Sequence, residues 1–491
     1  MADLYQKLEE YAHTDYYPYH MPGHKRRLYG NVLAQTAQWD ITEIEDFDNL
    51  HAPEGILKRI QEKAAAIYGA DESFFLVNGS TSGILSAVSA VVPQGGKLLM
   101  ARGCHKAVYH AAYLRNLDVK YLYPGQHEMF GCSLPVTAQQ VEQALEADEN
   151  IQAVCIVSPT YEGLVADVAE IAKAVHKRGI PLIVDEAHGA HLGFHPAWPG
   201  SSVRLGADIV IQSLHKTLPA PTQTAVLHVN GKLVDRKELK KFLSIYQSSS
   251  PSYLFMAAME EAVEITNNRA AELFGSFLTN WTAMCEKLQE CRCLCFLKEP
   301  GMDIGKLVIT DRSHTFSGQQ LYDILLHRYH LQMEMASERY VLAMFTVGDT
   351  KEGYTRLTQA LLDIDAECSA GMNIPKQKGF GKETPCTLTS EKQTGFDRKI
   401  SYTPPQIKYP LCESWEKETK EVLLQEAEGC VAGEFINLYP PGIPLIVPGE
   451  EFSQELCRYL QDCIDKGLNV QGITRRENSV FVKCIYNRCY E

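Results

Sequence analysis

The 491-residue chain has no apolar run approaching the roughly 20 residues that cross a bilayer, so no membrane span is expected. Basic residues are also in deficit. Against 61 Asp and Glu there are 47 Lys and Arg, and the formal charge of -14 argues against a nucleic-acid partner while suiting a cationic substrate. The opening Met-Ala-Asp lacks the basic and apolar regions of a signal peptide, so a cytoplasmic protein is expected. No internal repeat is apparent. Cysteine, by contrast, is plentiful: 15 residues scattered along the chain read as reduced thiols. Cys291-Arg-Cys-Leu-Cys295 could be a metal motif, but alternate cysteines on one face of a strand are the preferred reading. His188, His191 and His195 invite the same idea, which a cofactor reading of that loop displaces; no metal is expected.

What is present is an alternation. The length suggests two or three domains. Apolar runs at 74–77, 97–102, 153–158, 180–185, 207–212 and 224–229 are separated by helix-like segments. The clearest helix covers 167–179, with Val168, Ile171, Ala172 and Val175 on one face, basic residues in its last turn and Gly179 past its end. The pattern predicts an α/β fold, a mainly parallel sheet with crossover helices and a site at the carboxyl ends of its strands. Beyond about 235, longer helices and strands at 306–310 and 339–346 predict a small α/β domain. The expected divisions are an N-terminal segment (1–60), a cofactor-domain core (61–235), the rest of that domain with the small domain (236–370), a linker rich in Gly, Lys, Thr and Pro (371–408) and a C-terminal α+β domain (409–491).

Four segments carry chemistry. Ile209-Val-Ile-Gln-Ser-Leu-His-Lys216 is an apolar strand ending in Ser213, His215 and Lys216. It looks like an attachment site for pyridoxal phosphate, because a lysine that joins an aldehyde must lose a proton from a free pKa of roughly 10.4, and burial and a neighbouring imidazole both favour that. Taken alone it could equally be a strand closing in polar loop residues. Ile180-Pro-Leu-Ile-Val-Asp-Glu-Ala-His188 ends in Asp185, which can pair with a pyridine nitrogen and keep the ring an electron sink, or can cap a loop. Phe74-Phe-Leu-Val-Asn-Gly-Ser-Thr-Ser-Gly83 runs from strand to helix through small residues whose amides, with the hydroxyls of Ser80, Thr81 and Ser82, make an anion site. In Gly103-Cys-His-Lys106, His105 is the candidate ring to stack on a flat cofactor.

Together these segments resemble the ornithine/lysine/arginine decarboxylases, pyridoxal-phosphate enzymes of the aspartate-aminotransferase fold. The likeness extends to His20-Met-Pro-Gly-His-Lys25, Asp48-Asn-Leu-His-Ala-Pro-Glu-Gly55, Asp185-Glu-Ala-His-Gly-Ala-His191, Ser213-Leu-His-Lys-Thr-Leu-Pro219 and Tyr439-Pro-Pro-Gly-Ile-Pro-Leu-Ile-Val-Pro-Gly-Glu450. The resemblance implies that Lys216 is the attachment lysine, Asp185 the partner of the ring nitrogen and His105 the stacking ring. Ser80, Thr81, Ser82 and Ser213 would then be phosphate ligands, His188 a neighbour of the cofactor and His215 a proton donor. Glu434 would meet the substrate tail.

A carboxylate fork suits a guanidinium and a single carboxylate an ammonium. Arginine is the first choice of substrate, because the chain resembles short biosynthetic arginine decarboxylases without an added N-terminal wing domain; lysine and ornithine stay open. The same resemblance implies a homodimer or a dimer of dimers. An aminotransferase or β-eliminating lyase would share Lys216 and Asp185 but would need an arginine for the substrate carboxylate. A non-catalytic regulator is disfavoured by the complete lysine, aspartate and phosphate-loop set.

Overall fold

The computed structural model describes residues 14–19, 43, 47–313, 316–370, 404–439, 442–477 and 479–486. The His20–Lys25 motif, most of the segment read as a linker, and Pro440 and Pro441 lie outside them.

A short strand β1 (Tyr17–Tyr19) precedes the main sheet. That sheet contains β2 (Glu72–Leu76), β3 (Lys97–Ala101), β4 (Asp118–Leu122), β5 (Ala153–Val157), β6 (Leu182–Asp185), β7 (Ile209–Ser213) and β8 (Ala225–Val229), in the order β2-β8-β7-β6-β5-β3-β4. The unbroken apolar runs are the central strands: β6, β7 and β8 are buried at every position, as a sheet covered on both faces requires. Edge strand β4 instead alternates exposed and half-buried residues along most of its length. Six strands run one way. β8 opposes them, antiparallel to both β2 and β7, so the sheet is mainly rather than wholly parallel.

Helix α1 (Ile56–Tyr68) leads into β2, the crossover helices are α2 (Gly79–Val91), α3 (Lys106–Leu114), α4 (Ala138–Ala147) and α5 (Val168–His176), and a single turn α6 (Leu214–Thr217) follows β7. Local signals set their ends. The Asp48 carboxylate accepts the amides of Asn49, Glu54, Gly55 and Leu57, tying the 48–55 motif to the start of α1. Thr137 and Gln140 cap α4 reciprocally, and Asp167 caps α5 through the Glu170 amide. Gly83 brings α2 down onto the sheet: a Cβ there would stand 2.5 Å from Leu76 Cδ1 and 3.1 Å from Ile211 Cγ2.

A second apolar core lies under the antiparallel strands β9 (Leu294–Phe296), β10 (Lys306–Asp311), β12 (Met335–Ala336) and β13 (Val341–Met344), while β11 (Leu331–Met333) pairs with β1. Helices Ala270–Leu288 and Lys351–Ser369 pack against it. A third core joins strands of the two three-stranded C-terminal sheets to helix Gln454–Asp465. Of the three cysteines expected on one strand, Cys295 alone lies in β9. The segment before it is held by the Asp365 carboxylate, which accepts the amides of Arg292, Cys293 and Leu294. Among the described residues no group of His, Cys, Asp or Glu could hold a metal ion, and no helix is long and apolar enough to cross a membrane.

Candidate active site

β5 and β6 end at the same level and β7 runs two residues further, and the site lies over those ends. β6 delivers Asp185 at its last position, and β7 runs into α6, which lifts His215 and Lys216 over the sheet. The start of α2 and His105 at the start of α3 complete a cavity of about 350 Å³.

Lys216 Nζ lies 3.0 Å from His188 Nε2. Burial pulls the amine below its ordinary pKa, against the opposing charges of Asp185 and Glu334 and with help from Lys306. Asp185 is 4% exposed and accepts the Ala187 amide at 3.1 Å. Burial pushes its carboxyl up, while Lys216 holds it down. His105 Nδ1 accepts the Ala107 amide, so the ring is fixed as the cap of α3. Its pKa falls to about 3, first through burial and then through Lys216 and Lys106, which leaves a flat neutral ring facing the cavity. His188 is driven well below its ordinary value by burial and by the charges of Lys216 and Lys306.

Gly79, Ser80 and Thr81 line the cavity as the first turn of α2, where no side chain caps the open amides. Ser82 and Ser213, read as phosphate ligands, do not line it. Ser82 Oγ turns into its own helix and donates to Gly79 O at 2.8 Å. Ser213 ends a strand buried throughout, and its hydroxyl has no partner. Thr222 and Gln223 line the cavity instead, although nothing in their local sequence marks them. His215 also lines it, with Nδ1 3.0 Å from Thr224 O.

Glu434 is not among the cavity residues either. It follows Gly433, whose amide donates to Lys483 O on the strand Ser479–Ile485. That attachment leaves the Glu434 carboxylate 3.6 Å from Lys483 Nζ. The loop after β5 supplies side chains that sequence reasoning missed. Tyr161 packs on the His188 ring with centroids 4.4 Å apart and bonds to the Glu334 carboxylate. Glu162, 8% exposed, accepts from Tyr340 Oη at 2.5 Å, and burial raises its carboxyl. Among the described residues Glu162 forms no ion pair with Lys or Arg, so the cavity wall holds a second carboxylate without a cation.

An amine at the end of one strand, a buried carboxylate at the end of the next, a neutral ring and an open helix start fit pyridoxal phosphate. An orphaned atom on the cavity wall beside them, His188 Nδ1, is left for a ligand to complete. Fold and cavity define a pyridoxal-phosphate enzyme of the aspartate-aminotransferase architecture.

Within that class the chain belongs to the Orn/Lys/Arg decarboxylases: residues 2–323 match the family's major domain and 397–484 its C-terminal domain. It is a carboxy-lyase of basic amino acids with pyridoxal phosphate as cofactor. It is similar to the uncharacterised protein YaaO of Bacillus subtilis (strain 168), 34% identical over 490 residues covering 96% of this chain and 95% of that one. An arginine decarboxylase of the same organism is 29% identical over 483 residues, again covering 96% and 95%. Among solved structures, the constitutive lysine decarboxylase of E. coli superposes with a TM-score of 0.75 over 99% of this chain and 82% of that one, at 17% identity, a likeness of fold.

Proposed function

We propose that the chain converts arginine to agmatine and carbon dioxide, and the carrying observation is the second, cation-free carboxylate of Glu162 on the wall shared with Lys216 and Asp185. The full-length similarity to chains named arginine decarboxylase supports the same choice. Glu162, rather than Glu434, then meets the substrate tail. A guanidinium can bond to the carboxylate oxygen that Tyr340 does not use, and the incoming charge draws the raised carboxyl back to its ionised form.

When bound, the cofactor supplies an electron sink for the bond broken at the substrate's α-carbon. Lys216 attaches it and exchanges protons with His188 Nε2 over 3.0 Å. Asp185 holds the ring nitrogen, His105 covers the ring, and the first turn of α2 with Ser80 and Thr81 seats the phosphate. Lys216 or His215 returns a proton to the substrate carbon; His215 Nδ1–H donates to Thr224 O, which orients the ring, and Nε2 delivers a proton from the imidazolium form. We further place the enzyme in the cytoplasm as a homodimer or dimer of dimers, supplying polyamine synthesis.

The test offers arginine, lysine and ornithine separately to the protein with pyridoxal phosphate and identifies the amine by mass. Agmatine is expected. Cadaverine or putrescine in its place overturns the choice of substrate, and no amine from any of the three, with cofactor bound, points to the aminotransferase or lyase reading.

A further inference from the structure

One left-handed residue on the cavity wall is not a glycine. Gln223 has a φ of +84°, a conformation that glycine or asparagine adopts more readily, because a longer side chain crowds the backbone there. It lines the cavity beside Gly79, itself left-handed at a φ of +73°, and a Cβ on Gly79 would stand 3.7 Å from Gln223 O. A glycine at 223 would make the same turn without strain, so what the glutamine adds is its side chain. That side chain donates from Nε2 to Val77 O at 2.7 Å.

Val77 and Asn78 join β2 to α2, and side chains from two other segments hold them. Gln247, just past helix Arg236–Tyr246, accepts the Val77 amide on Oε1 at 2.9 Å. With Gln223 on the carbonyl, both backbone groups of Val77 are bonded by glutamines. Asn78 stands where an N-cap would bond the first amides of α2, but its Oδ1 accepts the Ser248 amide at 2.9 Å instead. The first turn of α2 therefore keeps amides that no side chain caps, at the cavity wall formed by Gly79, Ser80 and Thr81.

We infer that Gln223 is a positioning residue for the cofactor phosphate: its bond to Val77 O fixes the Gly79–Thr81 turn relative to Lys216. Lys216 and Gln223 belong to one connection, from β7 to β8, so the bond ties the loop that carries the amine to the turn that receives the phosphate. The two ends of a single ligand are thereby held at a set separation. Without the glutamine amide, the carbonyl of Val77, a residue 3% exposed, has to find another donor, and the turn moves to reach one.

This inference rests on Lys216 being the attachment lysine, and its test separates the two claims. Pyridoxal phosphate is compared with pyridoxal, which offers Lys216 the same aldehyde without the phosphate. Each is titrated into the full cofactor-free chain and followed by visible absorbance. Gln223→Asn tolerates the left-handed backbone but is too short to reach Val77 O, whereas Gln223→Gly removes strain and side chain together. In both variants Kd for pyridoxal phosphate is expected to rise about tenfold while Kd for pyridoxal stays within about twofold. The melting temperature of cofactor-free Gln223→Gly is expected to stay within about 2 °C, because relieved strain offsets the lost bond. Pyridoxal affinity falling in step with that for pyridoxal phosphate would make the bond a general support of the cavity and overturns the inference. An unchanged affinity for pyridoxal phosphate in either variant overturns it too. Absence of visible absorbance from the unsubstituted chain with either aldehyde overturns the cofactor reading instead.

Discussion

Two buried charge sites lie beyond strand ends of the same sheet, and they are built on opposite principles. Arg102, just past β3, has its charge paired: it donates to Tyr109 Oη and Pro444 O, each at 2.8 Å, and pairs with Glu450 at 2.9 Å. The rings of Tyr109 and Tyr121 flank its guanidinium at 5.6 and 5.5 Å. That site fastens the C-terminal domain, and with it Ile443 on the cavity wall, to the sheet. Around Lys216 the polar groups are left short of partners: Asp185 accepts one backbone amide, and His188 Nδ1 and Ser213 Oγ have none. A buried charge paired within the chain stabilises the fold, whereas buried groups without a partner of opposite charge store binding capacity for a ligand.

The comparison breaks if the two sites respond alike to mutation. The largest effect is expected for Lys216→Ala, which should cost at least about a thousandfold in decarboxylation and abolish the visible absorbance of bound cofactor. The melting temperature of the cofactor-free protein should not fall, because an amine buried against its pKa is removed. Arg102→Met should do the reverse, lowering stability in denaturant by about 3–5 kcal/mol by leaving Glu450 buried and unpaired. Adding Glu450→Gln should restore most of the loss, and an unchanged denaturation midpoint in the single variant would remove the structural half of the contrast.

Asp185→Asn belongs with Lys216: kcat should fall about a hundredfold with little change in unfolding, read by steady-state kinetics beside a thermal melt. For Glu162→Gln, KM for arginine should rise about tenfold while kcat stays within about threefold, and a kcat loss without a KM change would detach Glu162 from the tail. The smallest effect is on pH. His228, buried between Ser73 and Gln212, has its pKa lowered by burial to about 3. The unfolded chain then takes up its proton near pH 6.5, before the folded one can. Stability from this group is present above about pH 6.5 and is lost as the pH falls toward 3. His228→Gln should flatten the slope of melting temperature against pH across that window.

The central strands and the residues at their ends were legible because burial on both faces demands continuous apolar runs, and the polar residue that closes such a run stands at the edge of the sheet. That logic located Asp185 and Lys216. It did not place Ser82 or Ser213 on the cavity wall, because the side of a helix or of a pleat decides where a hydroxyl points. Nor did it place Glu434, which stands off the cavity because its neighbour Gly433 pairs with the strand Ser479–Ile485.

The amino-acid sequence alone determined six of the seven main-sheet strands and their alternation with helices, the lysine and aspartate as candidates, and the family to which the chain belongs. Tertiary structure alone decided that Glu162 meets Tyr340 across 178 residues and that Asp303 meets His191 across 112. The physical reason is range. Propensity and periodicity act between neighbours in the chain, whereas a buried charge finds its partner only when two domains close around it, and no local pattern records which residues will be there.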